Sequence, residues 1–184
     1  WLATEPSMEP KTFYMLNKAK NYDDYLEAIS HFSCPGQNIV FASRDNDIAM
    51  WQTNELIPKW NLQGRFIMDG RNPNHDWLKP IPMGHRPHSL NPKIGYLSSA
   101  NQNPVDTSYP YYVPGDYAPP FRGTRIDELL SDVKNGNYDD LRKIQNDNKS
   151  LLAQRILFPM LKTLNRSSLS KNQIELIHEL SQWD

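Results

Sequence analysis

Apolar residues recur at helical spacing in "NYDDYLEAISHF", residues 21–32, where Tyr25, Leu26, Ile29 and Phe32 fall on one face. Asn21, Asp23 and Asp24 supply the acceptors and negative charge that suit a helix start, so the pattern predicts a helix there. The period then shortens. "QNIVFAS" and "DIAMWQT" are rich in β-branched and aromatic residues, and the intervening "RDN" carries turn formers, which together predict a β-hairpin. The near-continuous apolar run Ile39, Val40, Phe41 and Ala42 predicts a strand covered on both faces. From Glu55 to Pro92 neither period survives. Pro, Gly, Asn and Trp dominate, as in a long ordered loop tied down by aromatics.

A further strand is expected at residues 94–100, "IGYLSSA", which leads into the amides Asn101, Gln102 and Asn103. Side chains presented at the end of a rigid element are common in binding and catalytic sites. A Pro- and Tyr-rich loop continues to Phe121, and the pattern is helical beyond it. "GTRIDELLSDVKNG" predicts a short helix ending at Gly136, Leu141 to Ile144 a second, "KSLLAQRILFPMLKTL" a long third and "KNQIELIHELSQW" a fourth. Pro159 inside the third predicts a kink or a break. The organisation is therefore helix, hairpin, loops and strand over about 21–121 and helices over about 122–184, without an internal repeat.

The 184 residues, 38% of them hydrophobic, suffice for one globular domain or a large part of one. A net charge of -1 with both signs interspersed provides no basic stripe for a phosphate backbone, so nucleic acid is not an expected partner. No apolar stretch approaches the roughly 18 to 20 residues needed to span a bilayer, and "WLATEPSMEP" lacks the pattern of a signal segment, so no membrane association is expected. A beginning on Trp1 and an end on "HELSQWD" read as a piece of a longer protein. The single cysteine, Cys34, cannot form an internal disulfide and is expected to be a buried thiol.

The five histidines are spread out. His75, His85 and His88, with Asp76, sit among prolines without helical spacing, so hydrogen-bonded or solvated loop histidines are expected and not a metal site. Asp69 followed by Gly70 reads as a tight turn. No nucleophile elbow, zinc-protease motif or phosphate-cradling glycine loop is present. The Tyr- and Trp-rich loops suit a sugar- or peptide-binding surface as well as they suit the wall of an active site.

Four stretches, "CPGQNIVFASRDNDIAMWQ", "LNPKIGYLSSANQNP", "FRGTRIDELL" and "IQNDNKSLLAQRILFPML", together resemble the penicillin amidase family of N-terminal nucleophile hydrolases, in matching order and spacing from about Tyr22 onward. "LSQWD" is similar to the start of the family's tryptophan, aspartate and glycine motif. The resemblance implies an α+β fold, part of a four-layer αββα sandwich, with residues 1–184 as an internal part of a single β-subunit domain. It implies hydrolysis of linear amides, such as penicillins or acyl homoserine lactones, by a serine at the N-terminus of that subunit, whose α-amine acts as general base. That serine belongs upstream of these residues, so this chain alone is expected to be inactive.

The resemblance places Asn101 as the oxyanion-hole residue, donating its side-chain amide to the tetrahedral intermediate, a contribution worth roughly 3 to 4 kcal/mol of barrier. It places Arg122 beside the active centre, just before a small residue and a helix, supporting the asparagine or the serine. Arg125 lies on the same turn and ranks behind it. Gln102 stands where many relatives carry a second asparagine, so no role is carried over to it. The implied partners are a small acyl amide and the remaining segments of the same precursor, α-subunit included. The implied location is periplasmic or extracellular in bacteria. No cofactor is required; relatives often hold a structural calcium, but the position of the expected aspartate falls near Tyr111 and Tyr112, so no calcium site is expected here. The rival reading is a non-catalytic carbohydrate- or peptide-binding module with the same fold.

Overall fold

The computed structural model describes residues 2–113 and 115–182. The chain is a mixed α/β structure that divides into two compact units, Trp1–Tyr117 and Ala118–Asp184. Among the described residues there are six α-helices and one three-stranded sheet.

The first unit opens with α1 (Glu9–Leu16) and α2 (Tyr22–Ile29). The helix expected over 21–32 is α2, and its start is chemically defined: the Asn21 side chain accepts from the Asp24 amide at 2.8 Å, with Asp23 and Asp24 in the first turn. The expected hairpin is β1 (Gln37–Ala42) and β2 (Ile48–Thr53), antiparallel, with Ile39 opposite Trp51 and Asn38 opposite Gln52. Asn46 closes the turn at a φ of 66°, a left-handed conformation that asparagine tolerates.

One face of this hairpin packs on α2. Tyr25, Ile29, Ala49 and Trp51 form the buried cluster, with Ile39, Phe41 and Met83 against it. The Tyr25 ring stacks on Phe41 at 4.9 Å, and its hydroxyl donates to the Ile39 carbonyl at 2.7 Å. Trp51 Nε1 donates to the Tyr22 hydroxyl at 3.0 Å. Burying each of the large side chains Tyr25 and Ile29 of α2 and Trp51 of β2 contributes about 1.5–3 kcal/mol, which holds α2 against the hairpin. Val40, on the opposite face, is 66% exposed, so β1 is covered on one face within this chain and not on both as its apolar run suggests.

The third strand differs from expectation. Residues 94–100 form no strand; the segment begins in a turn with Gly95 at a φ of 82°, and Ile94 is exposed. The third strand is instead β3 (His88–Leu90), inside the stretch read as loop, antiparallel to β2. Its register is set by a tertiary contact: the His88 ring stacks on Trp51 at 4.0 Å and 8°. A three-residue strand carries too little periodicity to be read from sequence. The rest of Glu55–Pro92 is, as expected, irregular chain tied by aromatic and polar contacts.

Helix α1 was not apparent from the sequence pattern. Pro10 in its first turn and the Glu9 carboxylate are start signals, and Phe13 meets Phe32 edge-on at 6.0 Å. Glu9 also fastens the start of α1 to the segment after α2, accepting from the Ser33 hydroxyl at 2.5 Å, the Ser33 amide at 3.1 Å and the Cys34 amide at 3.2 Å. Hydrogen bonds from the Ser33 hydroxyl, the strongest influence, and then the Ser7 hydroxyl, with smaller help from backbone amides, hold its carboxyl at about 2, below the usual 4.5. Cys34 itself is half-buried and not enclosed as expected.

The second unit consists of α3 (Phe121–Ser131), α4 (Tyr138–Gln145), α5 (Leu151–Thr163) and α6 (Lys171–Ser181). α3 ends before Gly136, five residues short of the expected stop. Capping boxes start α4 (Asn137 with Asp140) and α6 (Ser170 with Gln173). α5 runs through Pro159 without a break. Because α5 has no buried residue, water can satisfy the carbonyl that Pro159 leaves without its helical donor. Among the described residues α4, α5 and α6 bury no side chain fully, and Ile156, Phe158, Met160, Ile174 and Leu176 are exposed. The tryptophan and aspartate of the "LSQWD" motif, Trp183 and Asp184, lie outside the described residues.

Candidate active site

Asn101 follows the buried Ala100 and adopts a left-handed backbone, with a φ of 65°. The chain around it is fixed from both sides. The Ser99 hydroxyl accepts the Asn101 amide at 3.4 Å and the Asn38 side-chain amide at 2.8 Å, while the Gln102 side-chain carbonyl accepts the Ala100 amide at 2.7 Å. A hydroxyl oxygen has two lone pairs, so Ser99 can serve both donors. The result is an amide-bearing turn seated on the outward face of β1 and β2, opposite the face that packs on α2.

Asn101 borders an open cleft of about 330 Å³ with Asn38, Gln52, Gln102 and Tyr117. A second cleft of about 210 Å³ shares Asn38, Gln52 and Gln102 and is lined further by Met50, His88 and Ser99. The lining is dominated by neutral amides, which donate and accept without ionising. Asp116 at the edge is engaged by Arg65 at 3.0 Å. Burial pushes the Tyr117 phenol above its ordinary range. The Asn101 cleft thus has five side-chain amides in its lining, from Gln37, Asn38, Gln52, Asn101 and Gln102, beside the Asp116 carboxylate and the Tyr117 phenol.

The two arginines of α3, Arg122 and Arg125, have different surroundings. Arg125 is clamped: its Nε and Nη2 meet both oxygens of Asp147 at 2.9 and 2.8 Å, and Nη1 meets Glu128 at 3.1 Å. The Asp147 and Glu128 carboxylates push its guanidinium further up from an already high value, and the guanidinium in turn holds Asp147 below the usual carboxylate range. This bidentate geometry ties α3 to the segment before α5. Arg122 lies exposed in the first turn of α3, before the buried Gly123.

The sequence model of the penicillin amidase family matches residues 1–184. The chain belongs to the penicillin amidase family. Among curated relatives, the acyl-homoserine lactone acylase QuiP of Pseudomonas fluorescens strain Pf0-1 is 29% identical over 124 residues, covering 66% of this chain and 15% of that protein. The enzyme of the same name from Pseudomonas aeruginosa is 26% identical over 149 residues, covering 78% of this chain and 17% of that protein. The chain therefore spans less than a fifth of the length of these relatives. Among solved structures, the thermostable penicillin G acylase from Alcaligenes faecalis aligns with a TM-score of 0.59 and 19% identity, over 87% of this chain and 29% of that one. The likeness shows a shared fold.

Membership in the family raises the question of calcium. The Tyr111 hydroxyl is engaged by His85 Nδ1 at 2.7 Å, and neither Tyr111 nor Tyr112 supplies a carboxylate, so the residues at this point do not fit the ion. The loop histidines are hydrogen-bonded, as the sequence suggests: His75 Nδ1 meets the Asp69 carbonyl at 2.9 Å and His88 Nδ1 the Arg86 carbonyl at 2.7 Å. Asp69 forms a turn with Arg71, whose amide and Nε both reach its carboxylate at 3.0 Å. Ser99 and Gln102 are polar residues at the amide run, whereas Asn38, 61 residues from Ser99, carries no sequence signal of a link to it. No described helix is long and apolar enough to cross a membrane.

Proposed function

We propose that this chain is an internal part of the β-subunit of an acylase that hydrolyses linear amides, with Asn101 donating to the oxyanion and Arg122 supporting the active centre. One observation carries the reading: in a chain of the penicillin amidase family, Asn101 is held in a left-handed turn at the mouth of an amide-lined cleft. In this reading a serine at the N-terminus of the subunit, outside these residues, attacks the acyl carbonyl while its α-amine takes the hydroxyl proton. The carbonyl oxygen gains negative charge, which the Asn101 side-chain N–H stabilises. Collapse expels the amine, protonated by the same α-amine, and leaves an acyl ester that water hydrolyses.

The names of the relatives suggest acyl homoserine lactones or penicillins as the substrate class. The exposed apolar residues of α5 and α6 support burial of these faces by other segments of the same precursor, because such patches are rarely left in water. The location that goes with this reading is periplasmic or extracellular. The test is hydrolysis of chromogenic phenylacetyl, phenoxyacetyl and long-chain acyl amides by the full-length precursor and by this chain, side by side. Activity in the precursor alone supports the proposal and names the acyl class. Activity in neither replaces it with a binding module that shares the fold.

A further inference from the structure

The hydrogen bonds around Asn101 form a chain that leads to a different element. Asn38 lies on β1, 61 residues away in sequence from Ser99, and its Nδ2 donates to the Ser99 hydroxyl at 2.8 Å; that same oxygen accepts the Asn101 backbone amide at 3.4 Å. The contacts of Ser99 and Gln102 with the turn backbone are local, spanning two residues each. Such contacts fix the shape of the turn but not its place on the sheet. The bond from Asn38 ties the turn to β1.

We propose that Asn38 is a positioning residue, which holds Asn101 on the sheet through Ser99; the inference rests on the oxyanion reading of Asn101. β1 is a suitable anchor. The Ile39 carbonyl next to Asn38 accepts the buried Tyr25 hydroxyl at 2.7 Å, and Asn38 faces Gln52 across the hairpin. The anchor is therefore braced by α2 on one side and by β2 on the other. Asn101 is itself exposed, and an oxyanion donor acts only within hydrogen-bond reach of the reacting oxygen, so its reach depends on what holds the turn to the sheet. A misplacement of about 1 Å can cost on the order of 100-fold in rate. Loss of one of several tethers is expected to cost about tenfold.

The experiment uses the full-length precursor and the chromogenic amide panel, with kcat and KM measured separately for Asn38→Ala, Ser99→Ala, the double variant, Asn101→Ala, and Asn38→Ala combined with Asn101→Ala. Asn38 and Ser99 are both exposed in this structure, and Ser99→Ala carries the test if Asn38→Ala does not fold. The expected result is a kcat about tenfold lower for either single variant at unchanged KM, with the double variant no worse than the singles. Asn38→Ala should have no further effect once the Asn101 side chain is gone, a dependence that general destabilisation would not produce. A kcat for both single variants within about twofold of the parent, while Asn101→Ala is impaired, overturns the tether and leaves the oxyanion reading standing. A loss from Asn38→Ala that persists in full beside Asn101→Ala also overturns it. Parental activity in Asn101→Ala removes the oxyanion reading and this inference with it.

Discussion

Removing the Tyr25 hydroxyl tests whether α2 braces the strand that faces the cleft. Tyr25 is fully buried, its ring stacks on Phe41 at 4.9 Å, and its hydroxyl donates to the Ile39 carbonyl at 2.7 Å. Burial pushes the phenol well above its ordinary range, so it stays neutral and keeps its donor in ordinary buffers. Tyr25→Phe keeps the ring and deletes the donor, leaving a partly buried carbonyl without that partner, at a cost of about 1–2 kcal/mol. Tyr25→Ala also empties the space of the ring and should cost about 3–5 kcal/mol. Hydrogen exchange followed by mass spectrometry on the precursor reads this locally, without requiring the chain to fold alone. Protection across residues 37–53 should fall about 5- to 30-fold in the Phe variant and far more in the Ala variant. Unchanged protection in Tyr25→Ala would refute the brace, since a cavity of that size cannot be neutral in a packed core.

Two further predictions concern charge. The Glu9 carboxyl is held at about 2 against an ordinary 4.5, so the stability it contributes is present above 4.5 and is lost as the pH falls from there through about 2. Glu9→Gln should therefore lower the thermal midpoint at neutral pH by more than at pH about 2, and an equal difference at both would contradict the assignment. The arginines of α3 should separate by readout: Arg125→Ala removes the Asp147 clamp and lowers the melting point with kcat retained, whereas Arg122→Ala lowers kcat by about tenfold or more with little effect on melting. The reverse assignment of effects would transfer the supporting role to Arg125.

Local chemistry was legible in the sequence wherever it repeated. The spacing of Tyr25 and Ile29, the Asn21 cap, the "RDN" turn and the capped helices of the second unit each follow from one short stretch of chain. What was not legible depends on contacts distant in sequence. The stacking of Trp51 on His88 decides where the third strand lies, and no period in "HSL" could show it. Ile94, Tyr96 and Leu97 imitate a strand, but Gly95 in a left-handed conformation interrupts it. Helix α1 was hidden because Phe13 and Tyr14 stay largely exposed, which blurs the apolar face that a periodicity reading relies on. For the candidate site, family motifs singled out Asn101 and Arg122, and an asparagine type suits the left-handed position found at 101. The bond from Asn38 to Ser99 crosses 61 residues, and only the folded chain brings the two together.

The central claim is that Asn101 stabilises the oxyanion of an amide hydrolysis carried out by the intact precursor. The most direct measurement is kcat for the best substrate of the acyl amide panel in the parent and in Asn101→Ala, with subunit processing checked by gel so that a maturation failure is not mistaken for a catalytic one. The account predicts a processed variant whose kcat is about 100- to 1,000-fold lower. A processed variant that turns over at the parental rate would contradict it.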